Sequence, residues 1–289
     1  MDVRRWLLFL GAACLLVLSG CVGEGKQTLP QEIEPGSVYT GKIEILLPEA
    51  SGTEVYEGSG VTIDASHTED GYIMVKCEGA TARLKVRISL KGEDYTYDLN
   101  QSGDYEVFPL QMGNGEYEVT VFQNIEGTKY SPLYQTDLSV TMPDEDRVFL
   151  FPSQYVWYTK EEEAVQLSYD LCDGLETDSE KVDRIYDYLV WLLEYDYEKA
   201  ATVESGYIPD LSEILQIKKG ICFDYAALLA AMLRAQDIPV RLVIGYVQPD
   251  NLYHAWNQAY IDGKWVWMDA TFGPDSTRKE ADYTQDRRY

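Results

Sequence analysis

The sequence KKGICFDYAALLAAML, residues 218–233, determines how the second half of the chain is interpreted. Gly220 interrupts whatever precedes it, and apolar residues then recur at helical spacing. These residues are Ala226, Leu229, Ala230 and Leu233. Cys222 is therefore predicted to lie in or just before the first turn of a largely apolar, buried helix.

The position of Cys222 suggests a reactive thiol. The unpaired amides and the positive dipole end of a helix start favour a thiolate over a thiol. The alternative is a small apolar side chain that only fills a helix start, as most free cysteines do.

Helices are predicted before this stretch and strands after it. Three capping-box patterns mark helix starts: Thr159 with Glu162, Thr177 with Glu180, and Asp210 with Glu213. The Cys222 helix is expected to end at Ile238-Pro239, because the residue before proline avoids helical geometry. Strands are predicted at about residues 240–247, 254–261 and 264–269. Helices followed by an antiparallel sheet indicate an α+β domain over residues 143–289.

A partner for Cys222 must come from a short list, because the chain has two histidines and only His254 lies in this half. Asp262-Gly263 predicts a two-residue hairpin turn, which would place Asp269 diagonally across from His254. Diagonal neighbours lie ~7–8 Å apart at the backbone, within reach of a ring side chain. Asp269 would then bind one imidazole nitrogen and leave the other for Cys222.

Each of these residues has a structural alternative. His254 could be a hydrogen-bonded core residue, and Asp269 could cap a turn before Thr271. Trp265 and Trp267 alternate along the last strand and fit a core better than a substrate tunnel. A three-residue loop would place Asp269 on the opposite face. Taken together, the three residues favour a catalytic interpretation.

The sequences GICFDYAALLAAMLRAQDIPVRLVIGYV and YHAWNQAYIDGKWVWMDATF resemble the core of the transglutaminase-like superfamily, over roughly residues 179–272. The shared pattern is G-x-C-x-x-[YF]-A, then I-P-x-R-x-V-x-G-Y, then H-A-W and W-x-x-x-D-x-T. The resemblance implies a papain-like core with Cys222 as nucleophile, His254 as base and acid, and Asp269 as the residue that orients it. It implies neither a metal nor an organic cofactor.

A second donor to the oxyanion is expected beside the backbone amide of Cys222. Tyr207 and Gln216 are the candidates, because both are polar and lie upstream of Cys222. The alternative is that both are surface or packing residues.

The resemblance implies acyl transfer from peptide or protein amides through a thioester. Water as acceptor makes a protease or amidase, which we favour, and a lysine amine makes a cross-linking transglutaminase. A catalytically silent papain-like binding module is the remaining alternative.

Residues 37–142 read as strands without helical periodicity. Leu84, Val86, Ile88 and Leu90 alternate with polar residues, and glycines separate runs of this kind. An antiparallel β-sandwich is predicted, serving as a spacer or a binding module.

The N-terminus reads as a bacterial lipoprotein leader. Two arginines precede a short apolar run that ends in Leu18-Ser19-Gly20-Cys21. Residues 1–20 are predicted to be a signal peptide, Cys21 the lipidated residue and residues 21–36 a tether. The protein is then expected outside the cytoplasm, held at the cell membrane by lipid. Ordinary signal cleavage and an uncleaved anchor are the alternatives.

Composition argues against a nucleic-acid partner, because 24 basic and 49 acidic side chains give a formal charge of -25. Few cysteines remain for the folded body. Cys77 and Cys172 could pair across domains, although two buried thiols are the favoured interpretation.

Overall fold

A computed structural model describes residue 36 and residues 38–289 of the chain. The predicted leader, Cys21 and all of the predicted tether except Gly36 lie outside the described residues. Of the helices in the described residues, none is long and apolar enough to cross a membrane.

The first half forms two four-stranded antiparallel sheets. Their strands are β1 (Val55–Gly58), β2 (Val61–Asp64), β3 (Tyr72–Cys77), β4 (Leu84–Leu90), β5 (Glu93–Leu99), β6 (Glu106–Pro109), β7 (Gly115–Glu126) and β8 (Lys129–Val140). The strand orders are β1-β2-β3-β6 and β5-β4-β7-β8, and apolar residues of both sheets are buried in one shared core. The predicted sandwich is confirmed, and β4 alternates buried and half-buried residues along its whole length.

Residues 38–54 contain no strand and lie against the second half of the chain. The Tyr39 amide donates to Asp170 at 2.7 Å, and the Tyr169 hydroxyl donates to the Glu44 carbonyl at 2.7 Å. Ile43 also packs against the second core. This segment therefore packs on the second half, and the strands begin only at Val55.

The second half contains five α-helices and six strands. The helices are α1 (Glu163–Cys172), α2 (Asp178–Leu192), α3 (Tyr197–Thr202), α4 (Leu211–Ile217) and α5 (Cys222–Arg234). The strands are β9 (Glu194–Tyr195), β10 (Lys219–Gly220), β11 (Val240–Val247), β12 (Leu252–Ile261), β13 (Lys264–Met268) and β14 (Tyr283–Arg288).

One of the predicted helix starts is wrong. The box of Thr177 and Glu180 is present at the start of α2. At α1, however, Thr159 and Glu162 close a turn through their backbones at 3.3 Å, and the helix begins at Glu163 without a side-chain cap. The unpredicted α3 has six residues, which are too few to show a helical period.

Helix α5 is the centre of the second half. Its residues from Asp224 to Arg234 are all buried, and α1, α2, α4, β11 and β12 pack around it. Four alanines allow this close approach: Ala226, Ala227, Ala230 and Ala231. The start of α5 is thereby held at a defined place against the sheet.

The sheet beside α5 has the order β13-β12-β11-β14, and all its pairs are antiparallel. The three predicted strands are present. The fourth, β14, was missed because its sequence YTQDRR is polar and none of its residues is buried at the sheet edge.

Cys77 and Cys172 are buried free thiols, the favoured of the two alternatives.

Candidate active site

Cys222 is the first residue of α5 and is half-buried. Its backbone N–H belongs to the first helical turn, where amides have no partner within the helix. The Asp224 carboxylate accepts the neighbouring Ile221 amide at 2.9 Å, which stabilises this helix start. The sulfur is thus presented at the positive end of a rigid helix.

The β12–β13 hairpin has the predicted register. Ile261 pairs with Lys264, and the turn residues Asp262 and Gly263 have φ angles of 51° and 78°. Positive φ at both positions is the requirement of a tight type I′ turn. His254 Nε2 and Asp269 Oδ2 lie 2.8 Å apart, so the predicted hydrogen bond between these residues is present.

His254 is almost completely buried, and its ring stacks on Phe272 at 4.7 Å between centroids. Burial disfavours the imidazolium, but hydrogen bonds to Asp269 and Cys222 and the charges of both residues raise the pKa of His254 to about 9. Since Nε2 binds Asp269, Nδ1 is the nitrogen left for Cys222. The arrangement therefore favours a charged His254 at neutral pH.

Asp269 receives hydrogen bonds on both carboxylate oxygens. The amides of Thr271 and Phe272 donate to Oδ1 at 3.0 and 3.4 Å, and the Tyr283 hydroxyl donates to Oδ2 at 2.7 Å. The Tyr186 hydroxyl donates to the Asp269 backbone carbonyl at 3.0 Å. These bonds hold the carboxylate in the orientation that faces His254.

Tyr207 lines the cavity that contains Cys222, but its hydroxyl is already engaged. It donates to Asp224 Oδ1 at 2.6 Å and accepts from Lys199 Nζ at 2.6 Å. Lys199 also lies 2.8 Å from Asp224 Oδ2. In this arrangement Tyr207 supports the start of α5 through Asp224, and its proton is not directed at Cys222.

Gln216 is not brought to the site. It is exposed on α4 and does not line the Cys222 cavity. The buried face of α4 carries Leu211, Ile214 and Leu215, so helical periodicity places Gln216 towards solvent. Of the two candidates for the second oxyanion donor, Gln216 is therefore wrong for this structure.

A cavity of about 570 Å³ contains both Cys222 and His254. The tryptophans of the hairpin do not line it. Trp256 is buried, Trp265 lies under the Arg241 guanidinium at 3.6 Å, and Trp267 contacts the Tyr283 ring at 4.9 Å. These packing roles agree with the preferred interpretation of the hairpin tryptophans.

Two residues of the site were not identified from the sequence. Tyr283 lies in a polar tail without a recognisable pattern, and Lys199 lies on the short helix α3. Only Asp224 offered a signal, since an acid at the third helical position is typical of a capped start. Within residues 38–289, no group of three or more His, Cys, Asp or Glu side chains is arranged to hold a metal ion.

Comparison with known proteins gives a family match over the part of the chain that contains this site. Residues 165–270 match the model of the transglutaminase-like superfamily. The mouse kyphoscoliosis peptidase is 29% identical over 119 residues, which are 37% of this chain and 18% of that protein. A UPF0252 protein of Pyrococcus horikoshii is 34% identical over 95 residues, covering 32% of this chain and 29% of that protein.

The chain thus spans less than a third of either relative. A solved structure of a candidate cysteine protease from Cytophaga hutchinsonii matches with a TM-score of 0.43 and 19% identity, covering 75% of this chain and 83% of that one. Cys222, His254 and Asp269 all lie within the residues that match the family model. Residues 165–270 of this chain therefore form a domain of the transglutaminase-like superfamily.

Proposed function

We propose that the chain is a cysteine enzyme that hydrolyses amide bonds of peptides or proteins through a thioester on Cys222. The observation that carries the proposal is the 2.8 Å bond between His254 and Asp269, in a cavity that also contains the cysteine at the start of α5. The matching family domain supports the same reaction class.

The reaction starts with attack of the Cys222 thiolate on the amide carbonyl carbon. The resulting oxyanion lies near the unpaired Cys222 N–H. The C–N bond then breaks, and the leaving amine takes the proton from His254 Nδ1. Asp269 accepts from Nε2 throughout and so keeps the ring oriented.

The second half of the reaction releases the acyl group. Neutral His254 removes a proton from water, and the oxygen attacks the thioester carbonyl. The C–S bond breaks, which restores the thiolate and releases a carboxylic acid. Water is the favoured acceptor because it needs no pocket of its own, and Leu252 and Tyr253, which line the cavity, are 46% and 60% exposed to solvent. A lysine acceptor would require a channel that shelters the thioester from water.

The test offers glutamine-containing peptides and an unfolded protein, each with and without a labelled primary amine. Mass spectrometry separates cleavage and deamidation from incorporation of the amine. We expect water products to dominate and the Cys222→Ala variant to lose at least about a thousandfold in turnover. Dominant amine incorporation would favour the cross-linking alternative.

Alkylation distinguishes the enzyme from a silent binding module. Iodoacetamide should label Cys222 before Cys77 and Cys172, because burial raises the pKa of Cys77 and raises that of Cys172 to about 12. Peptide mapping reads the order of labelling. Protection of Cys222 in the folded protein would support the binding module.

We also propose that the enzyme is held outside the cytoplasm by lipid on Cys21. The basis is the Leu18-Ser19-Gly20-Cys21 ending of the charged, apolar leader.

A further inference from the structure

Exposed apolar side chains surround the opening of the Cys222 cavity. Three of them line the cavity, and the other two contact an aromatic ring that lines it. The ring centroids of Tyr197 and Tyr195 are 4.9 Å apart, and those of Tyr246 and Tyr253 are 5.5 Å apart. The five are Tyr197 (79% exposed), Tyr253 (60%), Leu252 (46%), Tyr246 (38%) and Val203 (38%). Clustered exposed apolar residues mark a binding surface, whereas single ones need no explanation.

The same cavity has a negative charge that the described residues do not balance. Glu204 lines it, and the Glu204 carboxylate has no hydrogen bond or ion pair to the described part of the chain. Lys199 does not balance this charge, since its ammonium lies 2.8 Å from Asp224.

We propose that this cavity binds an aromatic or branched aliphatic side chain next to the reacting amide, and that Glu204 binds a basic residue beside it. The inference rests on the proposed function, because it assigns a substrate class to the same site. Apolar walls gain from covering a large apolar side chain, and the free carboxylate complements a lysine or arginine. The preferred substrate is therefore a peptide segment that combines both features.

Two measurements on the same peptides separate this inference from the proposed function. Four fluorescein-labelled peptides are compared. In each, a central glutamine is flanked on both sides by Phe or by Ser, and outside those residues by Lys or by Glu. Fluorescence anisotropy with the Cys222→Ala variant gives Kd without turnover. Mass spectrometry with the unsubstituted enzyme gives kcat/KM.

We expect Phe to bind about tenfold more tightly than Ser. We expect Lys to bind about threefold more tightly than Glu, since Glu204 is exposed to solvent. Glu204→Gln should remove the preference for Lys, whereas Glu198→Gln, an exposed acid on α3 outside the cavity, should retain it.

The predicted preference for Phe over Ser has its own matched control. Leu252→Asn should reduce the preference for Phe, and Ile217→Asn should not, because Ile217 is 45% exposed but lies away from the cavity. Equal Kd values for all four peptides would overturn the inference even if Cys222 turns them over. Selective binding without any product would overturn the proposed hydrolysis and leave the recognition site standing.

Discussion

At the scale of single residues, His254 carries the charge on which the proposed reaction depends. Hydrogen bonds to Asp269 and Cys222 outweigh burial and raise the pKa of His254 from 6.5 to about 9. Because the folded-state pKa is raised, the stabilisation from this charge is complete below about pH 6.5 and is lost as pH rises through 9. We expect kcat/KM to fall over the same alkaline range, since neutral His254 has no proton for the leaving amine.

This pH dependence is checked by two measurements. Profiles of kcat/KM and of unfolding free energy should both decline towards pH 9. In the His254→Asn variant, the decline in unfolding free energy should be smaller. An unchanged decline in that variant would assign the titration to another group.

Tyr283 is predicted to position Asp269. Its hydroxyl donates at 2.7 Å to the same oxygen that binds His254. Tyr283→Phe should lower kcat about tenfold with KM nearly unchanged, because a hydrogen bond to a charged group is lost. The Asp269 carboxylate then attracts the imidazolium more strongly, so the alkaline fall in kcat/KM should move to higher pH.

The control for Tyr283 removes a different hydroxyl from the same aspartate. Tyr186 donates to the Asp269 backbone carbonyl, and Tyr186→Phe should leave the pH of the alkaline fall in kcat/KM unchanged. A purely structural role for Tyr283 would lower stability without moving the pH profile.

At the scale of elements, the β11–β14 pair brings Tyr283 to the site. Gly245 lies at a bulge in this pair. An alanine Cβ there would overlap the Thr284 carbonyl oxygen and lie 2.9 Å from the Trp256 ring. The close approach of β14 therefore requires glycine at position 245.

Gly245→Ala should displace β14 and lower the unfolding free energy by about 1–3 kcal/mol. It should also reproduce the activity loss of Tyr283→Phe, because the tyrosine moves with its strand. Urea unfolding and kcat measure the two effects. Gly36→Ala is the control, since its Cβ would meet nothing within 4 Å. Normal activity in Gly245→Ala would show that the position of β14 does not affect catalysis.

At the scale of the whole molecule, buried Arg234 connects distant parts of the chain. Its guanidinium donates to the carbonyls of Phe151, Val240 and Tyr289, at 2.7, 2.7 and 3.1 Å for the shortest bond to each. Burial lowers the pKa of Arg234 to about 10. Tyr289 in turn contacts both hydrophobic cores.

Arg234→Met should lower the unfolding free energy by about 3 kcal/mol, because buried carbonyls lose their donor. Urea denaturation followed by fluorescence measures the change. Arg83→Met, at a side chain that is 71% exposed, should change stability by less than about 0.5 kcal/mol. Equal midpoints for the two variants would show that Arg234 is not needed to join these segments.

The predicted anchor is also a property of the whole molecule. Cys21→Ser should move the protein from the membrane fraction to the soluble extracytoplasmic fraction, because the proposed lipid attachment site is lost. Cell fractionation with immunoblotting detects the shift, and Cys77→Ser serves as the control. Full retention on membranes in Cys21→Ser would favour an uncleaved leader.

The sequence by itself determined the local features of the second half. Helical periodicity placed Cys222 at a helix start, and the two-residue turn at Asp262-Gly263 set the hairpin register that pairs His254 with Asp269. Both depend on residues close in the chain, where backbone geometry leaves few choices. The sandwich strands were readable for the same reason.

Only the tertiary structure decided which distant residues complete the site. Tyr283 reaches Asp269 because an edge strand pairs with β11, and such pairing uses backbone groups that any sequence provides. Gln216 turns to solvent because packing, not polarity, orients α4. Lys199 and Tyr207 contact Asp224 because the intervening loops bring them together. Loop closure of this kind produces no periodic pattern in the sequence, so these contacts could not be predicted.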